Sequence, residues 1–431
     1  MAQQPCADPC IFHGDHVGQP QDFRRARRSQ MTETDAPRQA NMFAAMKRSA
    51  RLLFVASTIM LAACQSIVPK GPGPAQPTGP AKPTGPEVTQ GLPTDTARHR
   101  VALLVPTSGP NAGVGQSIAN ATTLALMDIK TDKVRITTYD TATGAAAAAN
   151  RALADGNRLI LGPLLADDAR IVGPIAAKAN VPVISFSNDT SVAGSNIFLM
   201  GYTPNQSIER VIGFARQKGL SNFGALVPRG TYGERAGNAL LRAVEQAGGT
   251  VVSMQTFDRT PASITAAVKK LQASSSYDAL LIADSGRVAL QVAPIVRKNG
   301  GANARLLGTE IWNTEESLAA SPVLRGAWYA SVSDGLYRQL ATKYRTRYGS
   351  APFRLSSMGY DAVLLTVRIA QDWKPGAPFP TARLRDPGGF AGIDGAFRFN
   401  RNGIAERALE VSEVGAGTIS VVDPAPRGFG N

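Results

Sequence analysis

From Arg100 onward, short apolar runs alternate with longer segments whose apolar residues recur at helical spacing. Residues 101–106 form an apolar run closed by Thr107-Ser-Gly-Pro110, and 112–130 then carries the spacing of an amphipathic helix. The pattern predicts strands at 134–140, 158–161 and 181–187, separated by helices at 144–155 and 167–179. After 197–203 the same grammar restarts. Helices are predicted at 205–218, 233–247, 262–273, 287–299 and 315–324, alternating with strands at 223–227, 250–257, 279–284 and 305–307. Residues 328–332 read as a return to the first unit, followed by helices at 336–348 and 357–372 and a final β section at 396–400 and 409–423. Strands with no polar side have no face to give to water, so they demand a parallel sheet with helices on both faces. The expected fold is α/β: two doubly wound, Rossmann-like lobes joined by crossover strands, with a cleft between them. Lobe one takes 99–204 plus 333–393, and lobe two 205–332 plus 394–425.

The segment before this pattern has a different composition. Residues 46–51 read Met-Lys-Arg-Ser-Ala-Arg, 52–60 are apolar, and Leu61-Ala62-Ala63-Cys64 follows. A basic end, a short apolar core and small residues before a cut site make an export signal at 46–63. The apolar run is too short for a permanent membrane span. Leu-Ala-Ala-Cys resembles a bacterial lipobox, which implies that Cys64 is lipidated and becomes the new amino terminus. Residues 1–45 lie upstream of a complete signal, so they read as an over-extended or disordered stretch, with the start at Met42 or Met46; the alternative is an arginine-rich extension. From 64 to 98 the chain is rich in Pro and Gly, with Pro-Thr-Gly-Pro at 77–80 and 83–86. Such a spacer cannot bury a core and runs extended; about 30 residues at ~3.1 Å each reach on the order of 90 Å.

Charge and chemistry narrow the function. The chain carries +14, and loss of residues 1–63 removes eight basic and five acidic side chains, leaving +11. Export and the lack of aromatics interleaved with the basic residues argue against nucleic acid. The processed chain keeps one Cys, Cys64, and one His, His99, so no intrachain disulfide forms and zinc lacks its clusters. His99, at the end of the spacer, reads as an exposed linker residue, which leaves no base for a Ser-His-acid triad. Ser-x-x-Lys and Gly-Lys-Ser/Thr are absent. Gly109-Pro-Asn-Ala-Gly113-Val-Gly115 imitates a dinucleotide turn, but Ile118 stands where the third Gly belongs. It reads as a tight turn whose helix lines a cleft. No catalytic residue, metal or cofactor is expected.

Val101-Ala-Leu-Leu-Val-Pro-Thr-Ser-Gly-Pro110, Ser187-Asn188, Gly201-Tyr-Thr-Pro204, Thr231-Tyr-Gly-Glu234 and Met358-Gly-Tyr-Asp361 together resemble the type 1 periplasmic binding proteins of the leucine/isoleucine/valine-binding class. The likeness covers about 99–423. Gly162-Pro-Leu-Leu165, residues 226–235 and Ser357-Met-Gly-Tyr-Asp361 are most similar to the penicillin-binding-protein activator lipoproteins.

Ligands in open α/β sheets gather beyond the carboxyl ends of the strands. That selects Ser108, Gly109, Leu165, Asp167, Ser187 and Asn188 on lobe one, Tyr202 near the crossover, and Tyr232, Asp284 and Glu310 on lobe two. The resemblance implies that lobe-one hydroxyls and amides take an amino-acid carboxylate and lobe-two acids its ammonium. Ser187, Tyr232 and Glu310 fit that pattern. Leu165-Ala-Asp-Asp168 departs from it, because two acids replace a Ser/Thr-rich turn, and they read as helix-capping residues. The preferred function is a non-catalytic lipoprotein activating a peptidoglycan synthase (penicillin-binding protein). Gln65 after the lipidated Cys implies the outer membrane. The alternative is the substrate-binding protein of an ABC importer, partnered by its permease and taking branched-chain or related amino acids.

Overall fold

The computed structural model describes residues 97–274 and 276–429. The expectations for 1–45, the signal, Cys64 and most of the spacer lie outside the described residues.

The first lobe is built on β1 (His99–Val105), β2 (Val134–Asp140), β3 (Leu159–Leu161), β4 (Val183–Ser185) and β5 (Ile197–Leu199), all parallel in the order β2-β1-β3-β4-β5. Pleating sends alternate side chains of β1 to opposite faces. Val101, Leu103 and Val105 enter the core beneath α1 (Ala112–Ile129), while Ala102 and Leu104 pack under α2 (Ala145–Ala154) and α3 (Ala166–Lys178). A strand buried on both faces is therefore apolar throughout, as the sequence pattern required.

The second lobe repeats the plan. β6 (Asn222–Pro228), β7 (Thr250–Phe257), β8 (Ala279–Ile282), β9 (Arg305–Gly308) and β10 (Trp328–Ser331) lie parallel in the order β7-β6-β8-β9-β10, the same winding as lobe one. α4 (Pro204–Gln217) and α5 (Thr231–Gln246) cover one face; α6 (Pro261–Ser274) and α7 (Gly286–Lys298) cover the other. Close approach of helix to strand is set by glycine in both lobes. A Cβ on Gly115 of α1 would lie 1.9 Å from the Pro106 carbonyl oxygen, and one on Gly233 of α5 would lie 1.7 Å from that of Pro228.

After β10 the chain returns to lobe one as α8 (Gly335–Tyr348) and α9 (Ser356–Ala370), whose Leu340, Tyr344, Met358 and Val363 join the core of Leu103. A hairpin sheet follows, β11 (Phe390–Gly392), β12 (Gly395–Phe399) and β13 (Ala405–Arg407). β14 (Glu410–Val414) and β15 (Ile419–Asp423) then add antiparallel strands to the second sheet.

Four expectations are corrected. Residues 394–407 belong with lobe one, because Phe397, Phe399 and Ala405 pack in its core; the last crossing comes at 408–409. Residues 328–331 are a strand of the second sheet, and the return follows them. The helix expected at 315–324 is two short 3-10 turns, Glu316–Ala320 and Pro322–Leu324, since Pro322 cannot donate the amide a continuing helix needs. His99 is no exposed linker residue: it opens β1, is buried, and stacks on Trp373 with ring centroids 3.8 Å apart. Burial lowers its imidazole pKa, because a charged ring there would lose its water.

Candidate functional site

Three crossings join the lobes, at 200–203, 332–334 and 408–409. Between them lies a cavity of about 440 Å³, with Tyr202, Val332 and Leu409 from the crossings on its back wall. Lobe one contributes Val114 from the start of α1, Phe186 after β4, and Met358 of α9; lobe two contributes Ile311 and Thr314 after β9. The walls are mostly apolar. This is the place the doubly wound topology reserves for a ligand, beyond the carboxyl ends of both sheets.

Three charged side chains face this cavity. Glu310 opens the 3-10 turn Glu310–Thr314; its Oε1 accepts from the Tyr232 hydroxyl at 3.2 Å, and among the described residues its buried Oε2 has no hydrogen-bond partner. Burial pushes its carboxyl up to about 7, only partly offset by its own backbone amide and the Tyr232 and Ser207 hydroxyls. Arg354 precedes α9. Its Nη1 donates to Asp394 at 2.8 Å and to the Ser357 hydroxyl at 2.9 Å, its Nη2 lies 3.2 Å from Asp334, and its guanidinium stands 4.1 Å over the Tyr337 ring. Its Nε has no partner among the described residues. Arg407, on β13, donates through Nη2 to the Met200 carbonyl at 2.6 Å, while its buried Nε and Nη1 have no partner there.

Behind the two arginines, Asp394 is wholly buried and takes hydrogen bonds from the Tyr202 and Ser357 hydroxyls. Burial works against its charge, but Arg354 and Arg407 outweigh it and hold the carboxyl below the usual range. Asp361, bonded by the Ile393 amide at 2.6 Å, is pushed up by burial and by Asp394 beside it. The crossing wall is thus backed by buried charge, which costs desolvation and is offset where Asp394 pairs with Arg354 and takes the Tyr202 and Ser357 hydroxyls.

Of the residues the sequence selected, Leu165, Asn188, Tyr202 and Glu310 line the cavity. Tyr232 stands behind Glu310, its hydroxyl 2.9 Å from Thr309 Oγ1. Ser187 is buried and shapes its loop by accepting from the Asp189 amide at 3.1 Å. The other four lie outside. Ser108 donates to Asp140 at 2.6 Å at the exposed strand edge, and Gly109 beside it turns the chain at φ 70°. Asp167 projects into solvent and pairs with Arg170 at 2.7 Å, and Asp284 is buried against Arg259 at 2.9 Å. Asp167 and Asp168 occupy the first turn of α3 without a side-chain cap, so they act on the helix amino end through charge alone. Sequence reading missed Arg354 and Arg407. A signal existed: Ala405 and Arg407 fall on the same buried phase of β13, so Arg407 is a charge at an inward strand position.

Two doubly wound lobes enclosing such a cleft define the type 1 periplasmic binding-protein fold. The chain belongs to the periplasmic binding protein family, whose model matches residues 99–418. A branched-chain amino acid ABC transporter structure from Rhodospirillum rubrum superposes with TM-score 0.66 at 20% identity, over 75% of this chain and 100% of that one. Full-length LpoA from Haemophilus influenzae gives TM-score 0.59 at 20% identity over 76% of this chain, which spans 59% of LpoA. Among curated proteins, the uncharacterized Rickettsia prowazekii (strain Madrid E) protein RP748 is 24% identical over 173 residues, 40% of this chain and 46% of that protein; the chain thus spans under half of that relative. Among the described residues no helix is long and apolar enough to cross a membrane.

Proposed function

We propose that the protein is a non-catalytic periplasmic receptor, lipid-anchored through Cys64, that closes its lobes on a small, mostly apolar molecule with a polar end. The observation that carries this is the cavity itself: about 440 Å³, apolar on its walls, and framed by all three crossings. A molecule held there touches both lobes and so favours their closed arrangement. As a solute receptor it would hand an amino acid or related compound to an ABC permease. Native mass spectrometry of the purified chain tests the reading, which expects a small molecule to co-purify and to leave on mild unfolding. A chain that stays empty and binds nothing from a pool of small metabolites would refute it. Cys64→Ser should release the protein from membranes or leave it unprocessed, and normal processing with membrane retention would disprove the anchor.

A second reading, activation of a peptidoglycan synthase from the outer membrane, is favoured by the fold likeness to LpoA over 76% of this chain. It needs an outer surface and can dispense with the cleft. Recovery of a penicillin-binding protein by the membrane-anchored chain, undiminished when the cleft is blocked by Val114→Trp, would support this second reading over the first.

A further inference from the structure

Among the described residues Arg407 is a buried charge that the fold does not satisfy. It is 8% exposed, lines the cavity, and forms no ion pair among the described residues, yet its Nε and Nη1 carry three N–H groups with no acceptor. Its Nη2 is spent on the Met200 carbonyl, and its guanidinium lies 4.9 Å from the Tyr202 ring and 5.3 Å from that of Phe397. Those two rings and the Met200 carbonyl hold the guanidinium in this buried position. Arg354 lies beside it on the cavity wall with its Nε also unmatched. Asp394 lies behind the pair, ion-paired directly with Arg354 and acting on Arg407 from a greater distance, while Asp361 faces Arg407 alone and is pushed up by burial and by Asp394. On the cavity side the charged groups are two guanidiniums and one carboxyl, Glu310, which sits on the opposite lobe. Buried donors without acceptors are costly unless a ligand completes them, and adjacent N–H groups of a guanidinium match the two oxygens of a carboxylate.

We propose that Arg407, flanked by Arg354, seats the carboxylate of an apolar monocarboxylate, whose hydrocarbon body packs on Val114, Phe186, Met358 and Ile311. The assignment rests on the receptor reading above and deepens it. It also moves the anion contact away from the lobe-one hydroxyls Ser108 and Ser187, both of which are engaged within the protein.

Calorimetry with benzoate, phenylacetate, 4-methylpentanoate and leucine, each beside its primary amide, tests it on the whole processed chain. At least one acid should bind, and its amide should bind more weakly. Arg407→Met should weaken that acid roughly ten- to a hundredfold and its amide much less, so that the preference for acid over amide is lost, the range expected for loss of a charge-assisted pair. Arg407→Lys, which keeps the charge without the fork, should fall between and serves if the Met variant fails to fold. Val114→Trp should abolish binding of acid and amide alike. Acid and amide binding equally, or an acid indifferent to both Arg407 variants, or no acid binding to wild type, would each overturn the carboxylate seat. Binding that persists unchanged in Val114→Trp would instead refute the cleft as the binding place.

Discussion

Asp189 of lobe one and Arg235 of lobe two are joined directly, with the guanidinium Nη2 2.5 Å from Oδ1. Asp189 follows β4, Arg235 lies on α5, and the other oxygen, Oδ2, takes Arg170 at 2.7 Å. Burial opposes the Asp189 charge, but the Ser191 hydroxyl and amide, Arg235 and Arg170 together hold the carboxyl low. The pair therefore ties the lobes together by a bond that opening must break.

Arg235→Ala should loosen closure more than it unfolds the protein. A partly exposed ion pair contributes about 1 kcal/mol at most, so ligand affinity should drop up to about fivefold, chiefly through faster release. Small-angle scattering of the unliganded variant should show a larger radius of gyration than wild type. Identical scattering and identical release would mean that the pair does not govern closure.

Glu310 makes stability depend on pH. Its carboxyl titrates near 4.5 when unfolded and is pushed up to about 7 by burial when folded. Between those values the folded chain keeps a proton that the unfolded chain has lost, so stability falls as pH rises through the window, by at most about 3 kcal/mol. Glu310→Gln should match wild type near pH 4.5 and exceed it in melting temperature at pH 8. Asp361, also raised, leaves a residual slope of the same sign in the variant. A ligand bearing an ammonium against Glu310 should bind tighter as pH climbs past 7, whereas a plain carboxylate should not. Parallel melting curves for variant and wild type across pH 4.5–8 would refute the assignment.

The lobes were legible because doubly buried strands leave long apolar runs, and residues 101–105 and 279–282 announce themselves by having no polar side. The hairpin at 390–407 was misassigned because its short strands carry no signal of which core they join; only Phe399 meeting Phe198, with Phe397 packed against Phe399, settles that. The cleft was half legible. Topology points to strand ends, which found Glu310 and Asn188, but it could not show that Ser108 is consumed by Asp140 or Asp284 by Arg259. Arg354 and Arg407 come from segments after the two windings are complete, where no rule of parallel sheets applies. The inward phase of β13 marks Arg407 as a buried charge, but which tertiary neighbours it and Arg354 meet is not encoded in local spacing.

His99 predicts a pH effect of opposite sign. Its lowered pKa means that, below the unfolded value of about 6.5, the unfolded chain gains a proton that the folded chain refuses. Stability is complete above that value and is lost as pH falls through the folded pKa. His99→Phe keeps the stack on Trp373 without a titrating group, so its melting temperature should decline less than that of wild type between pH 7 and pH 5. Equal declines would show that the ring titrates as though exposed.

Gly115 couples the packing of lobe one to the cleft. Its Cβ would fall 1.9 Å from the Pro106 carbonyl oxygen, so Gly115→Ala must push the first turn of α1 away from the end of β1. Overpacking of this kind costs roughly 1–3 kcal/mol. The same turn carries Asn111 and Val114 into the cavity, so displacement of the helix should weaken ligand binding as well as stability. Gly213, inside α4, is the control: a Cβ there meets nothing within 4 Å, and Gly213→Ala should stabilise by about 1 kcal/mol through helix propensity alone. Thermal melts and calorimetry on the two variants separate the effects. If Gly115→Ala lowers the melting temperature yet leaves affinity untouched, α1 does not position the cleft wall; if it lowers neither, the close approach of helix to strand is not what holds this lobe.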